Sequence, residues 1–163
     1  LLITLLSYAQ KPFELGAEGI KMIGKGYNST KVAARGESFS NKNSFSIGIT
    51  YHFASYKTYS ASSGFGMYGG YRYAFSNNIN SSSLFAGARI LFSFESFAGK
   101  SSDNSILITP MAEAGYHLLL GKSFYTAPSA GFGYTVEFTN GNNSLDEDRG
   151  GRLIPSLSAG FRF

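Results

Sequence analysis

From Ser44 to Phe53 hydrophobic and small polar positions alternate without a break: Phe45, Ile47, Ile49, Tyr51 and Phe53 form one row, and Ser44, Ser46, Gly48, Thr50 and His52 the other. A repeat of two predicts a β-strand, because successive side chains point to opposite faces of the pleat. The same pattern returns in "GFGMYGGYRYAF", "SLFAGARILFSF", "SILITPMAEAGYHLLL", "KSFYTAPSAGFGYTVEF" and "RLIPSLSAGFRF". In each, the bulky row is free of charge, counted from Phe124 in the fourth of these, while Arg72, Arg89, Glu113, Glu137 and Arg162 fall on the opposite row. A strand facing water would carry Lys and Glu on its polar face. These polar rows are built from Ser, Gly, Ala and Thr and read as confined.

The separators "ASYKTYSASS", "SNNINSS", "AGKSSDN", "LGKS" and "TNGNNSLDEDRGG" supply the Asn, Asp, Gly and Ser that turns need. Two more strands are expected from Pro12 to Gly24 and from Tyr27 to Ser40, joined by "KGYN", which brings the count to about eight. The second is thin, since only Val32, Ala34 and Gly36 make its apolar row. Either a partner molecule covers that row, or part of the segment is a loop. Pro110, Pro128 and Pro155 sit inside expected strands, where each removes a ladder donor, and so predict bulges or unbonded positions.

Charged residues make up 15% of the 163-residue chain, which is low for a water-exposed domain. Between Thr58 and Gly99 the only charges are Arg72, Arg89 and Glu95. Lys and Arg are scattered despite a net charge of +4, which argues against a nucleic-acid partner. No cysteine is present, so thiolate metal sites and disulfides are excluded. The opening "LLITLLSYAQ" reads as the end of a secretory signal, with residues 1–9 its remnant and 10–163 a single domain. No run reaches the roughly 18–20 apolar residues of a spanning helix. Strands can cross a bilayer only as a closed barrel, which satisfies every backbone polar group internally. Facing Arg89 to mid-bilayer lipid would cost about 2–4 kcal/mol, so the charged rows point inward. The fold expected is an all-β, closed antiparallel up-and-down transmembrane barrel of about eight strands.

The aromatic residues then form a lipid-facing girdle. Tyr73, Phe75, Phe124, Phe161 and Phe163 are expected near one rim and Tyr51, Phe53, Phe92, Phe94, Tyr134 and Phe138 near the other, with Phe45 in the same outer row. With these rows and the ending "LIPSLSAGFRF", the sequence resembles the small outer-membrane β-barrel family of OmpA and OmpX type. The resemblance implies a Gram-negative outer membrane, a periplasmic amino terminus and longer surface loops. It also implies lipid and lipopolysaccharide as surroundings, with the barrel assembly machinery as a partner during insertion. The alternative of a soluble lipocalin-like barrel turns the grease inward, and so many large aromatics would overfill it.

The inward charges expected are Glu14, Glu18, Arg35, Glu37, Arg72, Arg89, Glu113, Glu137 and Arg162. Antiparallel counting places Glu14 near Arg162, Glu18 near Arg35 and Arg89 near Glu113, so a lumenal ion-pair network and a filled, non-conducting barrel are expected. The other functional class considered is a lipid-modifying enzyme. A nucleophilic site needs a Ser, a base and an orienting carboxylate. His117 can meet Glu113 from the same row but has no obvious nucleophile, and His52 has Ser55 close by in sequence without a nearby acid. Asp146, Glu147 and Asp148 lack the ligand spacing of a calcium loop. A non-enzymatic structural, interaction or accessory-subunit role without a cofactor is expected, with Val32, Ala34 and Gly36 as the face toward a larger outer-membrane complex.

Overall fold

A computed structural model describes residues 12–25, 27–56, 62–76, 81–96, 104–139 and 149–163. The signal remnant at residues 1–9 and the acidic trio Asp146, Glu147 and Asp148 lie outside the described residues. Eight strands follow one another in chain order: β1 Phe13–Ile23, β2 Tyr27–Ser40, β3 Asn43–Tyr56, β4 Ser62–Ala74, β5 Ser83–Ser96, β6 Asn104–Leu120, β7 Phe124–Thr139 and β8 Gly150–Arg162. Each pairs antiparallel with the next, and β8 closes on β1. At 11 to 17 residues, the strands meet or exceed the roughly 9–11 that a bilayer requires. β3 runs on to Tyr56 and β4 begins at Ser62, so both extend into the "ASYKTYSASS" separator.

The thin segment from Tyr27 to Ser40 is a full strand of 14 residues, paired along its length with both β1 and β3. The reading of part of it as a loop is corrected: backbone pairing on two sides holds it whatever its outer row. Its turn into β3 is the two-residue connection Asn41-Lys42, with Asn41 at φ 56°. Asn tolerates the left-handed conformation such a hairpin needs.

The prolines produce no bulge. Pairing between β6 and β7 keeps one register throughout, but partners are missing at Thr109 and Pro110 and again opposite Ala127 and Pro128. The β1–β8 ladder likewise skips Pro155 and resumes in register at Leu153. A missing N–H therefore opens a local gap on one side of each proline without shifting a strand.

Alternation sorts the rows as steric and charge considerations require. The rings of Phe45, Phe53, Tyr73, Phe75, Phe92, Phe94, Phe124, Tyr134, Phe138, Phe161 and Phe163 are exposed on the outer surface, and Tyr51 is half-buried against Phe53 and Phe65. Tyr73, Phe75, Phe124, Phe161 and Phe163 lie toward the end where the chain closes at Phe13. Tyr51, Phe53, Phe92, Phe94, Tyr134 and Phe138 lie toward the other. This is the reverse of a lipocalin-like interior.

Candidate functional site

Because the outer wall is apolar, the polar chemistry of the described residues concentrates in the lumen. Six cations, Lys31, Arg35, Arg72, Arg89, Arg152 and Arg162, are buried against six carboxylates, Glu14, Glu18, Glu37, Glu95, Glu113 and Glu137. Charges removed from water must find partners, and here their numbers balance.

The lumen is layered along its axis. Nearest the end that carries Phe13 and Phe163, Arg162 Nε donates to Glu14 Oε1 at 2.8 Å, and His117 Nε2 lies 2.9 Å from the same oxygen. The His117 ring stacks on Tyr125 at 5.4 Å. Above them lies the central ion cluster. Arg89 Nη1 donates to Glu18 Oε1 at 2.8 Å and its Nη2 to Glu113 Oε2 at 2.7 Å. Arg72 Nε donates to Glu113 Oε1 at 2.7 Å. Arg35 donates to Glu37 and, at 2.7 Å, to the Ser158 hydroxyl. Tyr68 donates its hydroxyl to Glu18 and lies beneath the Arg89 guanidinium, 4.6 Å from the ring centre.

An apolar layer follows, made by Ile20, Met22, Ala33, Leu91, Met111 and Ile154, with the Tyr68 ring joining it from below. Beyond it the polar groups resume. Lys31 Nζ donates to Ser93 Oγ at 2.7 Å, His52 Nε2 lies 3.0 Å from Glu95 Oε1, and Ser105 donates to Glu137 at 2.8 Å.

Of the sequence-derived pairs, Glu14 with Arg162 and Arg89 with Glu113 are in direct contact. Glu18 instead takes Arg89 and Tyr68, while Arg35 turns to Glu37 and Ser158. His117 meets Glu14 rather than Glu113, whose two oxygens are occupied by Arg72 and Arg89. The sequence reasoning passed over Lys31, Glu95 and Arg152 as lumenal charges. Their signal was parity: Lys31 shares the row of Arg35, Glu95 that of Arg89, and Arg152 that of Arg162.

Two concavities adjoin these residues. A cavity of about 30 Å³ sits in the lumen mouth at the Phe13 end, lined by Glu37, Lys42, Ser44, Arg72, His117 and Arg162 among others. On the outer wall, a shallow apolar groove of about 830 Å³ runs over Ala34 and Gly36 between Phe13 and Leu15 on one side and Phe45, Ile47 and Met67 on the other. Val32 and Ala34 are exposed and Gly36 is half-buried on this thin face, where Ala17 and Gly19 of β1 lie opposite Ala34 and Val32.

No family model matches the sequence, and no curated protein matches it. Solved structures do. The chain is similar to the N-terminal β-barrel domain of Pseudomonas aeruginosa OprF, with a TM-score of 0.65 at 12% identity over 94% of this chain and 100% of that one. Neisserial surface protein A gives a TM-score of 0.63 at 14% identity, over 93% of this chain and 95% of that one. Ail, the attachment invasion locus protein of Yersinia pestis, gives 0.51 at 16%, over 94% and 97%. At such identities the likeness defines the fold, which is that of the small eight-stranded transmembrane barrels found among outer-membrane proteins.

Proposed function

We propose that this chain is an integral outer-membrane barrel with a periplasmic amino terminus and a sealed lumen, acting as a non-enzymatic structural or accessory subunit. The observation that carries the sealed lumen is the apolar layer of Ile20, Met22, Leu91, Met111 and Ile154 between two polar layers. Eight strands leave an interior that side chains just fill, and a hydrophobic constriction excludes water and ions. An accessory role is supported by the outer face over Val32, Ala34 and Gly36, where small side chains let another transmembrane surface approach closely. The solved barrels of similar fold are outer-membrane proteins, which supports the location.

The test has three readouts. Membrane fractions run with and without boiling should show heat-modifiable migration. Planar bilayers with verified insertion should show no stable conductance steps. Gentle detergent extraction followed by native mass analysis should yield a species heavier than the 17.6 kDa chain. Stable unitary conductance refutes the sealed lumen, and an exclusively monomeric extract refutes the accessory role.

A further inference from the structure

We propose that the outer wall over β1 and β2 thins the bilayer beside it, drawing anionic lipid headgroups inward by about 5 Å. The proposal rests on the reading of the chain as a transmembrane barrel, and it concerns a barrel whose β2 face meets lipid. Along β2 the outward row is apolar only at Val32, Ala34 and Gly36, and exposed Thr30 and Ser38 close it at the two ends. On β1 exposed Lys21 interrupts the row two residues before the strand ends at Ile23, and its Nζ donates to Thr30 Oγ1 at 3.1 Å. Diametrically across the closed barrel, the outward row of β6 is apolar from Ile106 to Leu120 without a break.

The two walls therefore differ in height. Strands rising about 3.3 Å per residue and tilted by about 35–45° climb roughly 2.5 Å per residue along the bilayer normal. Thr30 and Ser38 then lie about 20 Å apart, against about 35 Å from Ile106 to Leu120 and the roughly 25 Å belt that such barrels carry. The apolar belt is a wedge, short at β2 and tall at β6. Tilt shifts both ends of a wall together, so it cannot match a short and a tall wall to one thickness. A span shorter than the hydrocarbon layer is met by thinning of the bilayer next to it. Nor does an aromatic ring hold the interface at the usual height here. Among its described residues β2 turns no ring outward at either rim, whereas the partners of Ser38 and Thr30 on β3 are Phe45 and Phe53. Charge decides which lipids move in. Among the described residues the carboxylate side chains are all buried in the lumen, and the exposed charges, Lys21, Lys25, Lys122 and Arg149, are all cationic. Lys21, whose partner Thr30 is neutral, is left to pair with a lipid phosphate at the depth where the short belt ends.

The chain has no cysteine, so Ala34→Cys on β2 and Ala114→Cys on β6 each take a single nitroxide label. The folded full chain carrying either label is placed in dilauroyl-, dimyristoyl- and dioleoylphosphatidylcholine vesicles with a fixed share of phosphatidylglycerol, and label depth is read from oxygen and nickel-chelate relaxation. Depth at residue 114 should increase with bilayer thickness, while depth at residue 34 should stay nearly constant. Residue 34 deepening in step with residue 114 overturns the proposal. Adding phosphatidylglycerol should make residue 34 shallower, and Lys21→Gln should abolish that response; a parent that gives no response overturns the assignment of anionic headgroups. Urea unfolding supplies a second readout. Lys21→Leu combined with Thr30→Leu and Ser38→Leu lengthens the short wall and should shift the most stabilising vesicles toward thicker ones. Gly69→Leu, which adds bulk in mid-wall on β4, should keep the parent's preference. Heat-modifiable migration verifies folding. An unchanged preference in the folded triple variant overturns the proposal, and the label depths decide alone if that variant does not fold. The vesicles hold this chain without a partner, so a monomeric native extract bears on the accessory role and leaves these outcomes untouched.

Discussion

Arg89 is the cation whose loss should cost the barrel most, and replacing it by Met isolates the reason. Its two terminal nitrogens reach carboxylates on different strands, Glu18 on β1 at 2.8 Å and Glu113 on β6 at 2.7 Å. Met fills much of the same space over the Tyr68 ring but carries no charge. Glu18 would keep the Tyr68 hydroxyl, and Glu113 would keep Arg72. Each lost charge-assisted hydrogen bond is worth about 1.5–3 kcal/mol. Removing one member of a buried ionic cluster typically costs about 3–5 kcal/mol, mostly from the charge left behind. The two figures describe the same loss and do not add, so Arg89→Met should destabilise by about 3–5 kcal/mol. Because the stranded carboxylate causes most of the loss, adding Glu18→Gln should recover about 1–2 kcal/mol of it, the desolvation cost of one unpaired polar group. Urea unfolding in lipid vesicles can be scored by cold gel migration, which suits a chain without tryptophan. An Arg89→Met barrel within 1 kcal/mol of its parent would refute the reasoning, as would a double variant no more stable than the single one.

Two further substitutions probe the outer and inner walls. Ile49 is 71% exposed near the middle of β3, and Ile49→Arg should cost about 2–4 kcal/mol in vesicles if that row lies at the bilayer midplane; an unchanged unfolding midpoint would place the row in water. Gly48 and Gly69 make a matched pair. A Cβ on Gly48 would lie 2.4 Å from the Tyr68 ring, so Gly48→Ala should destabilise by about 1–3 kcal/mol. Gly69→Ala, outward with nothing within 4 Å, should stay within about 0.5 kcal/mol of the parent by the same titration.

What the sequence made legible follows from parity. One side-chain period of two, anchored by Arg72 and Arg89 on the small row, orients every strand once the chain is read as a barrel. The same parity assigns Lys31, Glu95 and Arg152 to the lumen, but each lies toward a strand end beside turn-rich sequence, where alternation gives way to loop composition. Partner choice across the lumen was not legible. Glu14 and Arg162 face each other on adjacent strands, which counting can find. Glu18 and Arg89 sit on β1 and β5, on opposite sides of the barrel, and their meeting depends on strand tilt and stagger, which no local pattern encodes.

The second strand shows how the two walls share the task of holding a strand in place. Its outer row of Val32, Ala34 and Gly36 buries little, and from the sequence only an external cover or a loop accounted for it. The inner row supplies a third account. Lys31 reaches Ser93 on β5, Arg35 reaches Ser158 on β8, and Glu37 accepts from Ser44 on β3 and Arg72 on β4. β2 is therefore tied from within to four other strands by charge-assisted hydrogen bonds, each about twice as strong as a neutral one. A strand held that way can give up bulky outer side chains and still close the sheet. That leaves its outer face smooth, the feature on which the proposed accessory role rests.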